Sequence, residues 1–289
     1  MARRTVFRVV VGLLALGPVA AAAVAGEARV SNGRIAFVDH GGIYTIRPDG
    51  GGIRKLAGAH YRDLAWSPDG RWLAAAADDL NMYAVRADGK RRRLLLRGGG
   101  GRGTTPSWSP RGDEIAADLV GTIDLVRVRD GRLHPLISGS FPSWTPDGSA
   151  VVYEVEGYRL LGRRVYDSVW EIGRDGSAKH RLAVAAAMPA VSPDGKWIAF
   201  ISESRYGDLR VMDAQGGHRR TLARGDSRRG IAFEHPSWSP DGRFLLAGRV
   251  VGKRQGKTDL YVVPFSGGRG RIVHRQDGDS SAAWQPLRH

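Results

Sequence analysis

A tryptophan followed by Ser-Pro-Asp-Gly, or by a near copy of it, recurs along the chain, and its spacing restricts the fold more than any other feature. The copies are Trp66-Ser67-Pro68-Asp69-Gly70, Trp108-Ser109-Pro110-Arg111-Gly112, Trp144-Thr145-Pro146-Asp147-Gly148, Val191-Ser192-Pro193-Asp194-Gly195 and Trp238-Ser239-Pro240-Asp241-Gly242, with a terminal half copy at Trp284-Gln285-Pro286. Successive anchors lie 42, 36, 47, 47 and 46 residues apart. That period matches a propeller blade and is too long for a leucine-rich or hexapeptide solenoid.

The segments between anchors read as strands joined by turns. Ser-Pro-Asp-Gly suits a type I turn: proline presets φ, aspartate bonds the local backbone, and glycine accepts the positive φ that begins the return strand. An apolar strand follows each turn, as in residues 114–118 (EIAAD) and 150–155 (AVVYEV). A partly alternating strand comes next, as in residues 122–128 (TIDLVRV) and 208–214 (DLRVMDA). Then a second turn, usually Asp-Gly or Gly-Gly, leads into a basic last strand. Period-two alternation and the lack of capped helical stretches predict four strands per repeat. The fold class is therefore all-β, a propeller of four-stranded antiparallel blades.

Residues 33–56 hold the second, third and fourth strands of a repeat but no tryptophan-bearing first strand, and the C-terminal Ala-Ala-Trp-Gln-Pro supplies one. Fitting that C-terminal strand into the N-terminal blade gives six complete blades and a closed ring. Residues 33–289 form one domain on this reading, and we expect a monomer.

Residues 1–25 read differently. A short basic start with Arg3, Arg4 and Arg8 precedes an uncharged apolar run over residues 9–25 that ends in Ala23-Val24-Ala25. This is the pattern of a cleaved secretory signal. Cleavage after Ala25 would leave a short segment, 26–32, ahead of the propeller and no membrane span; a periplasmic or secreted location follows. A retained anchor is the competing reading, but the run is short for a bilayer and is broken by Pro18. The chain has no cysteine, which excludes disulfides and a lipid-modified cysteine, so an exported fold has to rely on its core and hydrogen bonds.

The net charge is +15, or +12 without the presumed leader, and 38 of the 44 basic residues are arginine. A polyanion is a possible partner. The excess is spread along the whole sequence, with no basic helix or nucleic-acid recognition motif, so no nucleic-acid partner is expected.

The recurring Trp-Ser-Pro-Asp-Gly, its apolar return strand and the Asp-Leu-Tyr-Val-type strand after it resemble the WD-like blades of the TolB propeller family over residues 33–286. The resemblance implies a six-bladed propeller of the cell envelope that binds other proteins and has no catalytic role. Members of that family carry an α/β domain ahead of the propeller, and residues 26–32 are too few to form one.

On this reading Trp66, Trp108, Trp144, Val191, Trp238 and Trp284 fill the packing between neighbouring blades, a role that valine can share. No Gly-x-Ser-x-Gly elbow, His-Glu-x-x-His or P-loop occurs, and the glycine-rich residues 98–103 are a loop between blades. The histidines lack metal-ligand spacing, so no cofactor is expected; Asp277 and Asp279 could offer oxygens to Ca²⁺, although two carboxylates in a turn are ordinarily solvated. Arg111-Gly112-Asp113 and Arg224-Gly225-Asp226 are chance occurrences in a chain with 40 glycines.

The segments that lead into each tryptophan strand should crowd around one mouth of the central channel. They supply His60, Arg62, Asp63, Thr105, Phe141, Glu234, His235, Asp279 and Ser280, convergent polar groups with an aromatic among them. A non-enzymatic module that binds a protein or peptide there is the primary expectation. A metal-dependent lactonase-like or lyase-like propeller enzyme and an envelope polyanion binder are the alternatives.

Overall fold

The computed structural model describes residues 30–58, 60–98, 104–160, 163–203, 207–252, 257–276 and 281–288. The leader and part of the 26–32 segment, most of the glycine-rich loop, and Asp277, Asp279 and Ser280 lie outside them. Among the described residues there are six four-stranded antiparallel sheets, no helix, and one added two-stranded hairpin of Arg159–Leu160 with Arg163–Arg164. No helix long and apolar enough to cross a membrane is present among these residues.

The sheets form a ring of six blades. Counting from the blade that holds the N-terminal strand, the innermost strands are Ala282–Arg288, Tyr61–Trp66, Pro106–Trp108, Ser140–Trp144, Ala186–Val191 and Ile231–Trp238. Blade 1 is closed as expected: Ala282–Arg288 pairs antiparallel with Val30–Asp39, setting Ile35 opposite Trp284 and Phe37 opposite Ala282.

Six separate hydrophobic clusters lie between neighbouring blades, and each holds one anchor residue of the repeat. Trp66 packs where blades 1 and 2 meet, Trp144 between blades 3 and 4, Trp238 between 5 and 6, and Trp284 between 6 and 1. Trp108 and Val191 pack at the edges of the remaining two. Three indoles also tie blades together. Nε1–H of Trp66, Trp108 and Trp238 donates to the carbonyls of Ala283, Ala65 and Ala190 on the preceding innermost strand, at 3.2, 3.1 and 2.9 Å. A buried indole contributes area and also needs an acceptor, so one residue type meets both demands.

The turns explain why the motif includes serine and aspartate. In blade 6 the Ser239 hydroxyl donates to Asp241 at 2.6 Å and accepts the Phe244 N–H at 2.9 Å, while Gly242 has φ 68°. Blade 3 departs from the motif with Arg111, and Asp113 takes over: it accepts the Ser109 hydroxyl at 2.7 Å. The first Arg-Gly-Asp is thereby a repaired turn. The second also forms a turn, with Asp226 accepting the N–H of Arg228 at 2.9 Å.

These hydroxyls are buried, and Ser239 is 0% exposed. Ser239→Ala is expected to strand the Phe244 N–H and lower stability by about 1–3 kcal/mol. Chemical denaturation measures this, and a loss within error would mean that the backbone turn suffices.

Candidate functional site

Every innermost strand presents one edge to the axis, and together the six enclose a channel of about 520 Å³. Prolines 68, 110, 146, 193, 240 and 286 of the turns ring one end. The other end is lined by the residue three places before each anchor: Asp63, Thr105, Phe141, Met188, His235 and Ser281.

A bulge sets those side chains. Between Ser140 and Ser143 the innermost strand of blade 4 advances three residues while its partner advances two, and the same shift occurs at Tyr61/Leu64, Ala187/Ala190 and Glu234/Ser237. A bulge re-aims side chains and bends its strand. In blades 4, 5 and 6 the bulged residue is left-handed: Phe141, Met188 and His235 have φ of 50°, 50° and 51°. Each precedes a proline (142, 189 or 236) that also lines the channel. Proline is tolerated here because the axial edge of an innermost strand has no partner strand to receive its missing N–H.

Phe141, Met188 and His235 form one wall. The Phe141 and His235 rings meet edge to face with centroids 5.5 Å apart and planes at 78°. The His235 N–H donates to Met188 Sδ at 3.4 Å, and the Met188 N–H donates to Glu154 Oε2 at 2.7 Å. Glu154 is 5% exposed. Burial pushes its carboxyl up to about 7; the Met188 N–H opposes the shift, and nearby Asp167, Glu156 and Glu203 add to it. Left-handed non-glycine backbone costs roughly 1 kcal/mol or more per residue and persists only where surrounding structure over-determines it. Three such residues side by side at one channel end mark this wall as the candidate site.

Of the residues expected at the mouth, Asp63, Thr105, Phe141 and His235 line the channel. His60 and Arg62 turn instead to the Asp78 carboxylate, with His60 Nδ1 3.6 Å from it. Glu234 stands just before the bulge and is not among the lining residues. Asp279 and Ser280 lie outside the described residues, although their neighbour Ser281 lines the channel and accepts the Leu64 N–H on its hydroxyl at 3.2 Å. Met188 and Glu154 were missed. Met188 had a signal, because residues 187–191 (AMPAV) align with 140–144 (SFPSW) and 234–238 (EHPSW). Glu154 had none, since it reads as one more strand residue. Among the described residues no group of three or more His, Asp or Glu side chains could hold a metal ion.

Comparison with known proteins agrees with this architecture. Residues 53–83 match the family described as WD domain, G-beta repeat. The Tol-Pal system protein TolB of Francisella tularensis is 25% identical over 218 residues, covering 69% of this chain and 49% of that protein. The chain thus matches about half the length of these curated relatives. An uncharacterized Agrobacterium fabrum protein is 28% identical over 209 residues, or 62% of this chain and 67% of that one. Among solved structures, TolB from Acinetobacter baumannii superposes with a TM-score of 0.66 at 19% identity, covering 88% of this chain and 66% of its own. A putative TolB from Agrobacterium tumefaciens has the same TM-score and identity over 91% of this chain and 100% of its own. An oligogalacturonate lyase from Vibrio parahaemolyticus is more distant, with a TM-score of 0.53 at 13% identity over 87% of this chain and 75% of that one.

Proposed function

Because the chain is a TolB-like six-bladed β-propeller, we propose that it is an exported, non-enzymatic binding module of the cell envelope that recognises a protein or peptide at the mouth of its channel. On this reading residues 1–25 are a cleaved export signal, the mature chain works as a monomer, and no cofactor is needed. The observation that carries it is the wall of Phe141, Met188 and His235, held in left-handed conformation at equivalent bulges of three successive blades. An apolar, aromatic surface beside Asp63 and the channel serines suits a peptide segment that brings both apolar and polar groups.

The test pairs a pull-down from envelope extract with metal analysis of protein purified without chelator. A protein partner held by the wild type, then purified and titrated, is expected to bind at least tenfold more weakly to Phe141→Ala/His235→Ala, as for loss of central aromatic anchors worth about 2 kcal/mol or more. Unchanged affinity in a variant with wild-type melting behaviour would remove the channel mouth as the site. Stoichiometric metal that survives dialysis, with no specific partner, would favour the enzyme reading.

A further inference from the structure

The positive charge, evenly spread along the sequence, is one-sided in the fold. The Ser-Pro-Asp-Gly turns and the turns between third and fourth strands all emerge at the end of the ring opposite the wall described above. Neighbouring turns touch there: a Cβ on Gly112 would meet Pro68 at 3.3 Å, and one on Gly195 would meet Pro146 at 3.0 Å. The eleven turns of this end hold thirteen Arg and Lys against nine Asp. The six outermost strands add eight Arg and Lys with no Asp or Glu, and seven of these eight occupy the first or second strand position, again at this end. At the channel-mouth end the described loop residues hold seven of each sign.

The nine aspartates bind within their own turns, and Asp49, Asp88, Asp113 and Asp130 also pair with nearby arginines, which leaves an excess of cations at this end. Each accepts a hydrogen bond from a backbone N–H or hydroxyl within its turn, as Asp49 does from Gly51, Asp88 from Lys90 and Asp175 from Ser177. Several of the cations are held in place against rings. Lys55 stands over Tyr44 at 5.7 Å, Arg93 over Trp72 at 5.6 Å and Arg220 over Phe265 at 4.4 Å.

We propose that this end of the propeller docks on an anionic lipid surface. Every blade contributes at least two Arg or Lys to it, so the charge is spread over a ring rather than drawn into a stripe or groove. A planar array of headgroups can meet all six blades at once, whereas a linear polyanion meets only a few. Docking this way turns the channel mouth away from the membrane. The inference uses the opposite end from the channel and stands independently of it.

The test is cosedimentation of the mature chain, residues 26–289, with phosphatidylcholine vesicles, with and without phosphatidylglycerol. Lys90→Glu/Arg129→Glu/Lys179→Glu/Arg219→Glu changes exposed residues of the cationic end, and Arg97→Glu/Arg224→Glu/Arg228→Glu/Arg229→Glu makes the same change in net charge at the other end. Each basic residue near an anionic surface contributes about fivefold to binding, so the first variant is expected to bind anionic vesicles at least several hundredfold more weakly than wild type. The second should stay within a few-fold of wild type, and high salt should release both wild type and the second variant. Equal losses in the two variants, or wild-type binding that ignores phosphatidylglycerol, would overturn the proposal. So would tight binding to a soluble anionic polysaccharide with none to vesicles.

Discussion

A chain truncated after Ser281 is expected to lose the cooperative fold of the whole ring rather than the stability of one blade. The lost strand does several jobs at once. It is the innermost strand of blade 1, paired to Val30–Asp39, and it brings Trp284 and Ala282 to the cluster between blades 6 and 1. Its Ala283 carbonyl accepts the Trp66 indole of blade 2 at 3.2 Å, and the Gln285 side chain donates to the Gly70 carbonyl at 2.8 Å. Without it, the apolar faces of blades 1, 2 and 6 meet water, and nothing bars the ring from opening. A buried Trp replaced by Ala alone costs about 3–5 kcal/mol, a large part of the roughly 5–15 kcal/mol that stabilises a domain. Circular dichroism and size-exclusion chromatography would show the loss as a missing or strongly lowered melting transition and an expanded or aggregated chain. A truncated chain that melts sharply within a few degrees of wild type would mean that five blades and a three-stranded sheet suffice.

The second large effect concerns Glu154, and its sign follows from proton linkage. In the folded state its carboxyl is raised from 4.5 to about 7 by burial, so the native protein holds a proton that the unfolded chain releases between those values. Stability linked to this group is therefore fully present below about pH 4.5 and falls as pH rises through 7. At 1.36 kcal/mol per pH unit the loss is ~3 kcal/mol, a melting shift of roughly 6–12 °C at 2–4 °C per kcal/mol for a domain of this size. Glu154→Gln keeps an oxygen to accept the Met188 N–H and removes the buried charge. It should be the more stable protein at pH 8 and should show a flatter stability profile between pH 5 and 8. Glu154→Ala removes the acceptor as well, strands the Met188 N–H, and should be less stable than Glu154→Gln by about 1–3 kcal/mol across the whole range. Parallel melting profiles of wild type and Glu154→Gln would show that Glu154 does not titrate in this window. If Glu154 holds the Met188 bulge in place, the alanine variant should also weaken whatever binds at the Phe141–His235 wall.

Much of this architecture was readable in advance for a physical reason. Turn chemistry acts over four or five residues, and strand alternation acts over two, so both are written locally. Ser239, Asp241 and Gly242 specify their turn without help from elsewhere, and five such copies and a terminal half copy at blade length specify a ring. Even the strand that closes it was legible, because residues 33–56 lack a first strand and Ala-Ala-Trp-Gln-Pro is one without a blade.

The candidate site was only half legible. That Phe141, His235, Thr105 and Asp63 approach the axis follows from their place before the anchor tryptophans. That His60 and Arg62 turn aside to Asp78 does not, because the aspartate reaches them from the loop after the next strand. The hairpin at Arg159–Arg164 was likewise hidden within a long interval between anchors.

What the sequence determined by itself is the repeat, its four strands, its turns and the closure of the ring, since each depends on contacts near in sequence or on an unmatched strand. What only the tertiary structure decided is the content of the channel wall and the distribution of charge. The left-handed Met188 rests on Glu154, 34 residues away, and on a His235 amide 47 residues away. The arginines, evenly spread along the chain, gather at one end because the turns after the first and third strands of the blades, which carry most of them, all return there. Neither fact exists until six blades share an axis, because both concern which parts of different repeats face the same way.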